Sequence, residues 1–201
     1  RLIMAVGADA VAETAQDMGI VTSLGDEPGP AIALGGLTTG VSPLEMAMAY
    51  ATLAGGGERL SSSVAFDPEE TSFPVAIVRV LDASGRVLDE NEVVRTRVLD
   101  PDVAAMAKSC LRTVIERGTG TAADIGRPAA GKTGTTQNYR DAWFAGWTPD
   151  LVTVVWVGND DGQPMRGVTG GGVPTTIWRA FMQEALKGSP PHAFPAYAPP
   201  M

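Results

Sequence analysis

The sequence predicts an α+β fold, an antiparallel sheet flanked by helices. Three observations carry that reading. Residues 129–159 have the aromatic and β-branched content of strands, interrupted at Thr148-Pro149-Asp150, a break short enough for a hairpin. Residues 42–57 hold a helix start and a helix stop around an apolar run. Two more helical patterns, over 100–118 and 174–187, carry apolar residues at helical spacing.

Taken in order, Arg1 to Val6 reads as the end of a helix stopped at Gly7, the residue type that most easily takes a left-handed stop conformation. Asp9 is the expected cap of a second helix, ending at Gly19. Ile20 to Val41 has no sustained period and predicts a long loop laid over something else. Ser42-Pro43-Leu44-Glu45 is a capping box with Pro at the first helical position, where its missing N–H does no harm. The run from Leu44 to Ala54 is apolar nearly all round, which predicts a helix buried on most sides at the centre of the core; Gly55-Gly56-Gly57 ends it.

Val75 to Leu81 and Arg86 to Leu88 read as a hairpin around Asp82-Ala83-Ser84-Gly85. Asp100 and Pro101 open a helix that stops at Gly118. Its Val103, Met106, Ala107, Cys110, Leu111, Val114 and Ile115 form a one-sided stripe that is expected to be buried, Cys110 with it as an inert thiol. If Ala129 to Thr136 is also extended, three consecutive antiparallel strands result. After Gly167 to Gly172, a last helix from Pro174 to Lys187 is expected to bury Ile177, Trp178, Phe181 and Leu186. Residues 189–201 form a proline-rich tail expected to be loosely ordered. The lone His192 lies in it, which argues against a catalytic or metal role.

Composition excludes several classes. With 201 residues and 44% hydrophobic content the chain can bury a real core. The formal net charge of −8 argues against nucleic acid as a partner, because a phosphate backbone is gripped by a basic face. One Cys and one His nearly exclude a zinc site, and one Cys excludes an internal disulfide. No cofactor or metal is expected.

Two motifs compete for Lys132. Gly126-Arg127-Pro128-Ala129-Ala130-Gly131-Lys132-Thr133 matches the phosphate-loop string G-x-x-x-x-G-K-[ST], which would make the chain a nucleotide-binding protein. That mechanism needs a strand delivering the first Gly and a helix starting at the Lys, so that its free N–H groups face the phosphates. Neither is expected: a helix end and loop precede Gly126, weak helix formers follow Lys132, and Pro128 removes one amide.

The other reading takes Lys132-Thr133-Gly134-Thr135-Thr136 as the edge strand of a serine acyltransferase. The lysine supplies a fixed positive charge that favours a carboxylate and lowers neighbouring pKa values. The hydroxyls of Thr133 and Thr135 donate to that carboxylate, and Gly134 admits a close backbone approach. A peptide would then lie along the strand as an added strand.

This stretch, with Asp141-Ala142-Trp143-Phe144-Ala145-Gly146-Trp147 after it, resembles the third and fourth strands of the penicillin-binding protein transpeptidase domain, whose motifs are S-x-x-K, an S-x-N-type triplet and K-T-G. Val41-Ser42-Pro43-Leu44-Glu45-Met46-Ala47 with Tyr50-Ala51-Thr52, Gly118-Thr119-Gly120-Thr121-Ala122, Val157-Gly158-Asn159-Asp160 and Gly167-Val168-Thr169-Gly170-Gly171-Gly172 resemble its class A, bifunctional branch. The resemblance covers residues 1–188, leaving 189–201 as a tail, and implies the penicillin-binding/serine β-lactamase-like transpeptidase fold.

No Ser here has a Lys three residues on, and there is no S-x-N. The outline of that triplet in Thr136-Gln137-Asn138 follows K-T-G directly and reads as coincidence. In the family both missing motifs precede the segment that Arg1-Leu2-Ile3 resembles, so the chain is expected to be the C-terminal part of such a domain, incomplete at its N-terminus and inactive alone. The resemblance implies a serine, supplied by an upstream segment, that attacks a peptidoglycan stem peptide ending in D-Ala-D-Ala. An acyl-enzyme forms, D-alanine leaves, and a neighbouring stem's amine makes the cross-link. It also implies that Lys132, Thr133 and Thr135 hold the terminal carboxylate, that the Thr135 N–H shares the oxyanion hole, and that β-lactams use the same contacts. The implied address is the extracytoplasmic face of the bacterial inner membrane, with the anchor outside this chain. Other readings are a class A β-lactamase, separable by deacylation rate, and a non-catalytic cell-wall docking module.

Overall fold

The computed structural model describes residues 1–25, 28–37, 39–62 and 77–195. Short helix α1 (Ile3–Val6) and α2 (Ala8–Asp17) open the chain; then come a 3-10 turn at Pro30–Leu34, α3 (Pro43–Ala54), β1 (Glu58–Ser62), β2 (Arg79–Leu81), β3 (Val87–Glu90) and β4 (Val93–Arg97). They are followed by α4 (Pro101–Glu116), β5 (Ala130–Thr135), β6 (Asp141–Trp147), β7 (Val152–Gly158) and α5 (Val173–Ala185). The described strands form a three-stranded antiparallel sheet, β5-β6-β7, and two small pairs, β1-β4 and β2-β3. The α+β reading and the three consecutive strands hold.

The sheet has a buried cluster on each face. Phe144 of β6 packs with Trp178, Met182 and Leu186 around α5, joined by Ile115 from the C-terminal turn of α4. Residues of opposite parity, Ala130 and Trp147, pack with Leu53 of α3 and Ala104 of α4. Period-two alternation therefore sends one row of β6 to α5 and the other to α3. The rings of Phe144 and Trp178 meet edge to face at 5.3 Å, and the indole N–H of Trp178 donates to Gly146 O and Thr153 O at 3.2 and 3.1 Å. Glycine at 146 is required by that approach, since a Cβ there would lie 2.7 Å from the Phe144 ring and 2.8 Å from Trp178.

The capping box at α3 is present in both directions, Glu45 N–H to Ser42 Oγ at 3.2 Å and Ser42 N–H to Glu45 Oε2 at 2.8 Å. The Glu45 carboxylate also accepts from the N–H groups of Val21 and Thr22, at 3.0 and 2.6 Å, so one side chain ties the preceding loop to the helix. Burial alone would push its pKa up; the hydrogen bonds from Ser42 and Thr22 outweigh that and hold it at about 2.

Several expectations are corrected. The cap position of α2 is Gly7, and Asp9 sits in the first helical turn without capping it. α3 buries one face, through Glu45, Met48, Ala49, Thr52 and Leu53, while Leu44 stays 46% exposed, so the core centres on the sheet and not on this helix. On α4 the buried line is Ala104, Lys108 and Ile115, and Val103, Met106 and Cys110 are exposed. Small Ala104 lets that helix approach closely, which turns the face by about one residue from the line of larger apolar side chains. On α5 the buried residues are Pro174, Thr175, Trp178 and Met182, whereas Ile177 and Phe181 are half exposed. Strands β1 and β4 escaped the sequence reading because Glu58–Ser62 and Val93–Arg97 are largely polar, lack a period-two apolar pattern and pair with each other. The expected hairpin is present as β2-β3; Val75 and Ala76 at its expected start lie outside the described residues.

The tail is tied down through residue 195. His192 Nδ1 meets Asp150 Oδ1 at 2.5 Å, Lys108 Nζ donates to Pro195 O at 3.2 Å, and the Lys108 ammonium sits 5.4 Å from the centroid of the Phe194 ring. Arg127 adds contacts to Leu186 O and Ser189 O. Loose order was expected for 189–201 from the proline content; for the part up to 195 a buried lysine and one histidine pair supply tertiary anchors that composition does not display, and residues 196–201 lie outside the described residues.

Candidate functional site

β5 pairs with β6 along one edge only, from Ala130 opposite Trp147 to Thr135 opposite Ala142. Among the described residues no strand covers its other edge. The Thr136 N–H donates to Asp141 O at 3.0 Å, toward β6. Backbone groups alternate sides along a strand, so the N–H and C=O groups of Thr133 and Thr135 point to the open edge. The strand starts buried, with Ala130 and Gly131, and ends exposed at Lys132 and Thr135.

Side chains alternate too. Lys132 and Gly134 lie in the row facing α3, and Thr133 and Thr135 in the row facing α5. Lys132 Nζ donates to Thr133 O at 2.6 Å, so the ammonium folds over the open edge onto one of its outward carbonyls. Gly134 stands against Trp143: a Cβ would lie 3.1 Å from the Trp143 Cβ. Its lack of a side chain thus relieves a tight contact within the protein's own packing.

Both threonine hydroxyls are held from outside the strand. Thr119, in the turn after α4, places its Oγ1 2.6 Å from Thr133 Oγ1. The N–H of Gly170, in the loop before α5, donates to Thr135 Oγ1 at 3.0 Å. Gly167 takes a left-handed φ of 66°, a turn requirement. Gly170 and Gly171 are glycine for a different reason. A Cβ on Gly170 would run into Gly134 O and stand 2.5 Å from Trp143 O, and one on Gly171 would run into Thr119 O. Thr119 and Gly170 were visible in the sequence only as parts of family-like stretches; for Gly170 the signal was the run Gly170-Gly171-Gly172, longer than a turn needs, and for Thr119 there was none beyond the resemblance.

At the far end of the strand, the Asp141 carboxylate accepts from Thr136 Oγ1 at 3.1 Å and from the Trp156 indole at 2.9 Å, fastening the β5–β6 connection to β7. That connection is a 3-10 turn, Gln137–Tyr139, with Asn138 at φ 60°. Thr136-Gln137-Asn138 is therefore a turn between strands.

The phosphate-loop reading fails on geometry. Lys132 is inside a strand and no helix begins there, so no set of free helical N–H groups faces its ammonium. Among the described residues no group of His, Cys, Asp or Glu could hold a metal ion, and no helix is long and apolar enough to cross a membrane.

Comparisons with known proteins agree with this architecture. The family model of the penicillin binding protein transpeptidase domain matches residues 14–183. Penicillin-binding protein 2D of Bacillus subtilis (strain 168) is 35% identical over 198 residues, which is 94% of this chain and 26% of that protein. Penicillin-binding protein 1A of Mycolicibacterium smegmatis is 33% identical, over 92% of this chain and 25% of its own length. The chain thus spans about a quarter of these curated relatives. Among solved structures, PonA1 of Mycobacterium tuberculosis in complex with penicillin V superposes with a TM-score of 0.78 at 31% identity, over 96% of this chain and 54% of that one. The open-edged sheet between helices and the matched residues lead to one conclusion: this chain belongs to the penicillin-binding protein transpeptidase domain family, among relatives of the class A type.

Proposed function

We propose that this chain is the carboxylate-binding and oxyanion-forming part of a serine D,D-transpeptidase that cross-links peptidoglycan. The observation that carries the reading is the open edge of β5, which offers outward N–H and C=O groups beside two held hydroxyls and one ammonium. A stem peptide ending in D-Ala-D-Ala adds to that edge as a strand, with Gly134 between the two threonines. Its terminal carboxylate is taken by Thr133, Thr135 and Lys132, the last turning away from Thr133 O to meet it. The Thr135 N–H, facing the open edge, is one of the two oxyanion donors.

The nucleophile comes from a Ser-x-x-Lys element outside these 201 residues, which contain none. Its hydroxyl oxygen bonds to the penultimate D-alanine carbonyl carbon, its proton passes to a base in the same upstream segment, and D-alanine leaves as the amine. An amine of a second stem then displaces the serine ester. β-Lactams, which present a carboxylate and a strained amide, occupy the same contacts. The site lies on the extracytoplasmic face of the inner membrane, held by an anchor outside the chain. Residues 1–188 constitute the domain portion and 189–201 an appended tail.

Labelling with a fluorescent penicillin tests this. The full-length protein is expected to be labelled covalently and the 201-residue chain alone not at all. Labelling of the isolated chain would require a nucleophile within it and would overturn the division of roles.

A further inference from the structure

The carboxylate reading gives Thr133 and Thr135 a task, but a hydroxyl is both donor and acceptor and can turn its proton either way. To meet a carboxylate it must donate. Each of these hydroxyls is paired with a group from a different part of the chain. Thr135 Oγ1 accepts from the Gly170 N–H, a group that cannot act as an acceptor, so the Thr135 proton is left to point elsewhere. Thr133 Oγ1 lies 2.6 Å from Thr119 Oγ1, a pair in which either oxygen can donate. If Thr133 donates to Thr119, its proton is spent; if Thr119 donates to Thr133, the Thr133 proton is free for an anion and strengthened as a donor by the bond it accepts.

The two backing groups are also joined. Gly171 stands so close to Thr119 O, and Gly170 to Gly134 O, that neither position admits a Cβ. The turn after α4, the loop before α5 and the exposed end of β5 are thus packed backbone to backbone, and the two hydroxyls are set by one assembly.

We propose that Thr119 is a positioning residue for carboxylate recognition: its hydroxyl donates to Thr133 Oγ1 and commits the Thr133 proton to the substrate carboxylate, as the Gly170 N–H does for Thr135. The inference rests on the carboxylate role of β5. Thr119 contacts no substrate itself and acts through Thr133.

The test uses the full-length protein and measures second-order acylation rates with benzylpenicillin and with its methyl ester, which lacks the negative charge. Thr119→Val keeps the shape and removes the hydroxyl. It is expected to slow acylation by benzylpenicillin about five- to thirtyfold, the size of one weakened hydrogen bond to an ionised group. Its effect on the ester is expected to stay within about twofold. Thr119→Ser, which keeps the hydroxyl, is expected to restore the benzylpenicillin rate. Equal losses with both probes, or a Thr119→Ser variant as slow as Thr119→Val, would overturn the proposal and leave Thr119 a packing residue. Thr133→Val separates the two levels. If it too leaves the preference for the charged probe intact, the carboxylate reading of β5 fails; if it abolishes the preference while Thr119→Val does not, only the positioning role fails.

Discussion

The two ends of β5 differ as much as two separate strands. Ala130 is completely buried, in the cluster with Trp147 and Ala104, and Gly131 stands where a Cβ would lie 2.6 Å from the Phe144 ring. Beyond Gly131, Lys132 and Thr135 are exposed along an edge that no described strand covers. One end is held by apolar burial from both faces of the sheet. The other is held by hydrogen bonds from Thr119 and Gly170 that fix side chains without covering the edge. The contrast teaches that this strand is stabilised at one end so that it can stay open at the other, and that stability and chemistry should respond to different substitutions.

The sharpest way to break the comparison is to attack the buried side. Trp178→Ala empties the space under Gly146 and Phe144 and is expected to cost about 3–5 kcal/mol in urea unfolding. A cost below about 1 kcal/mol would mean that the α5 face is not what holds the sheet. Acid comes next. The Glu45 pKa falls from an ordinary 4.5 to about 2 in the folded chain, so its stabilising effect is complete above pH 4.5 and is lost as pH falls through about 2. At about 1.36 kcal/mol per unit the loss is at most about 3.5 kcal/mol, and Glu45→Gln is expected to flatten the stability profile across that window. An unchanged profile in the variant would assign the acid sensitivity to other carboxylates.

The exposed end should behave in the opposite manner. Lys132→Ala in the full-length protein is expected to slow penicillin labelling several-fold to several-hundredfold, about 1–3.5 kcal/mol in barrier, while melting stability stays within about 0.5 kcal/mol. A large stability loss with labelling unchanged would reverse the roles assigned to the two ends. The smallest effect is expected at the β2-β3 hairpin, where every strand residue is exposed. Leu88→Ser there should alter stability by no more than about 0.5 kcal/mol and leave the labelling rate as it is.

Legibility in the sequence followed the same line. The α3 start was readable because a capping box is local: Ser42, Pro43 and Glu45 act on N–H groups within one turn. β5, β6 and β7 were readable from β-branched and aromatic content and one short break. The buried faces of α4 and α5 were readable only in part: Ile115, Trp178 and Leu186 are buried as expected, but apolar spacing marks which residues are able to face a core and the neighbours decide which do. Cys110 and Phe181 fit their stripes and remain exposed, whereas Lys108 and Thr175, both polar, are buried. Lys108 survives there because Pro195 O and the Phe194 ring receive its ammonium, although burial, with Arg112 adding to it, lowers its pKa.

By itself the sequence determined the fold class, the order of the sheet strands and the K-T-G segment as the stretch proposed to meet an anion, since these depend on residue type at short range. Only the tertiary structure decided what holds that segment. Thr119 and Gly170 lie 14 and 35 residues from the hydroxyls they touch. No periodicity carries such a distance; the chain brings them together when the sheet closes between its helices, and glycine at 170 and 171 is what lets three backbones approach closely enough for two hydroxyls to be set at one edge.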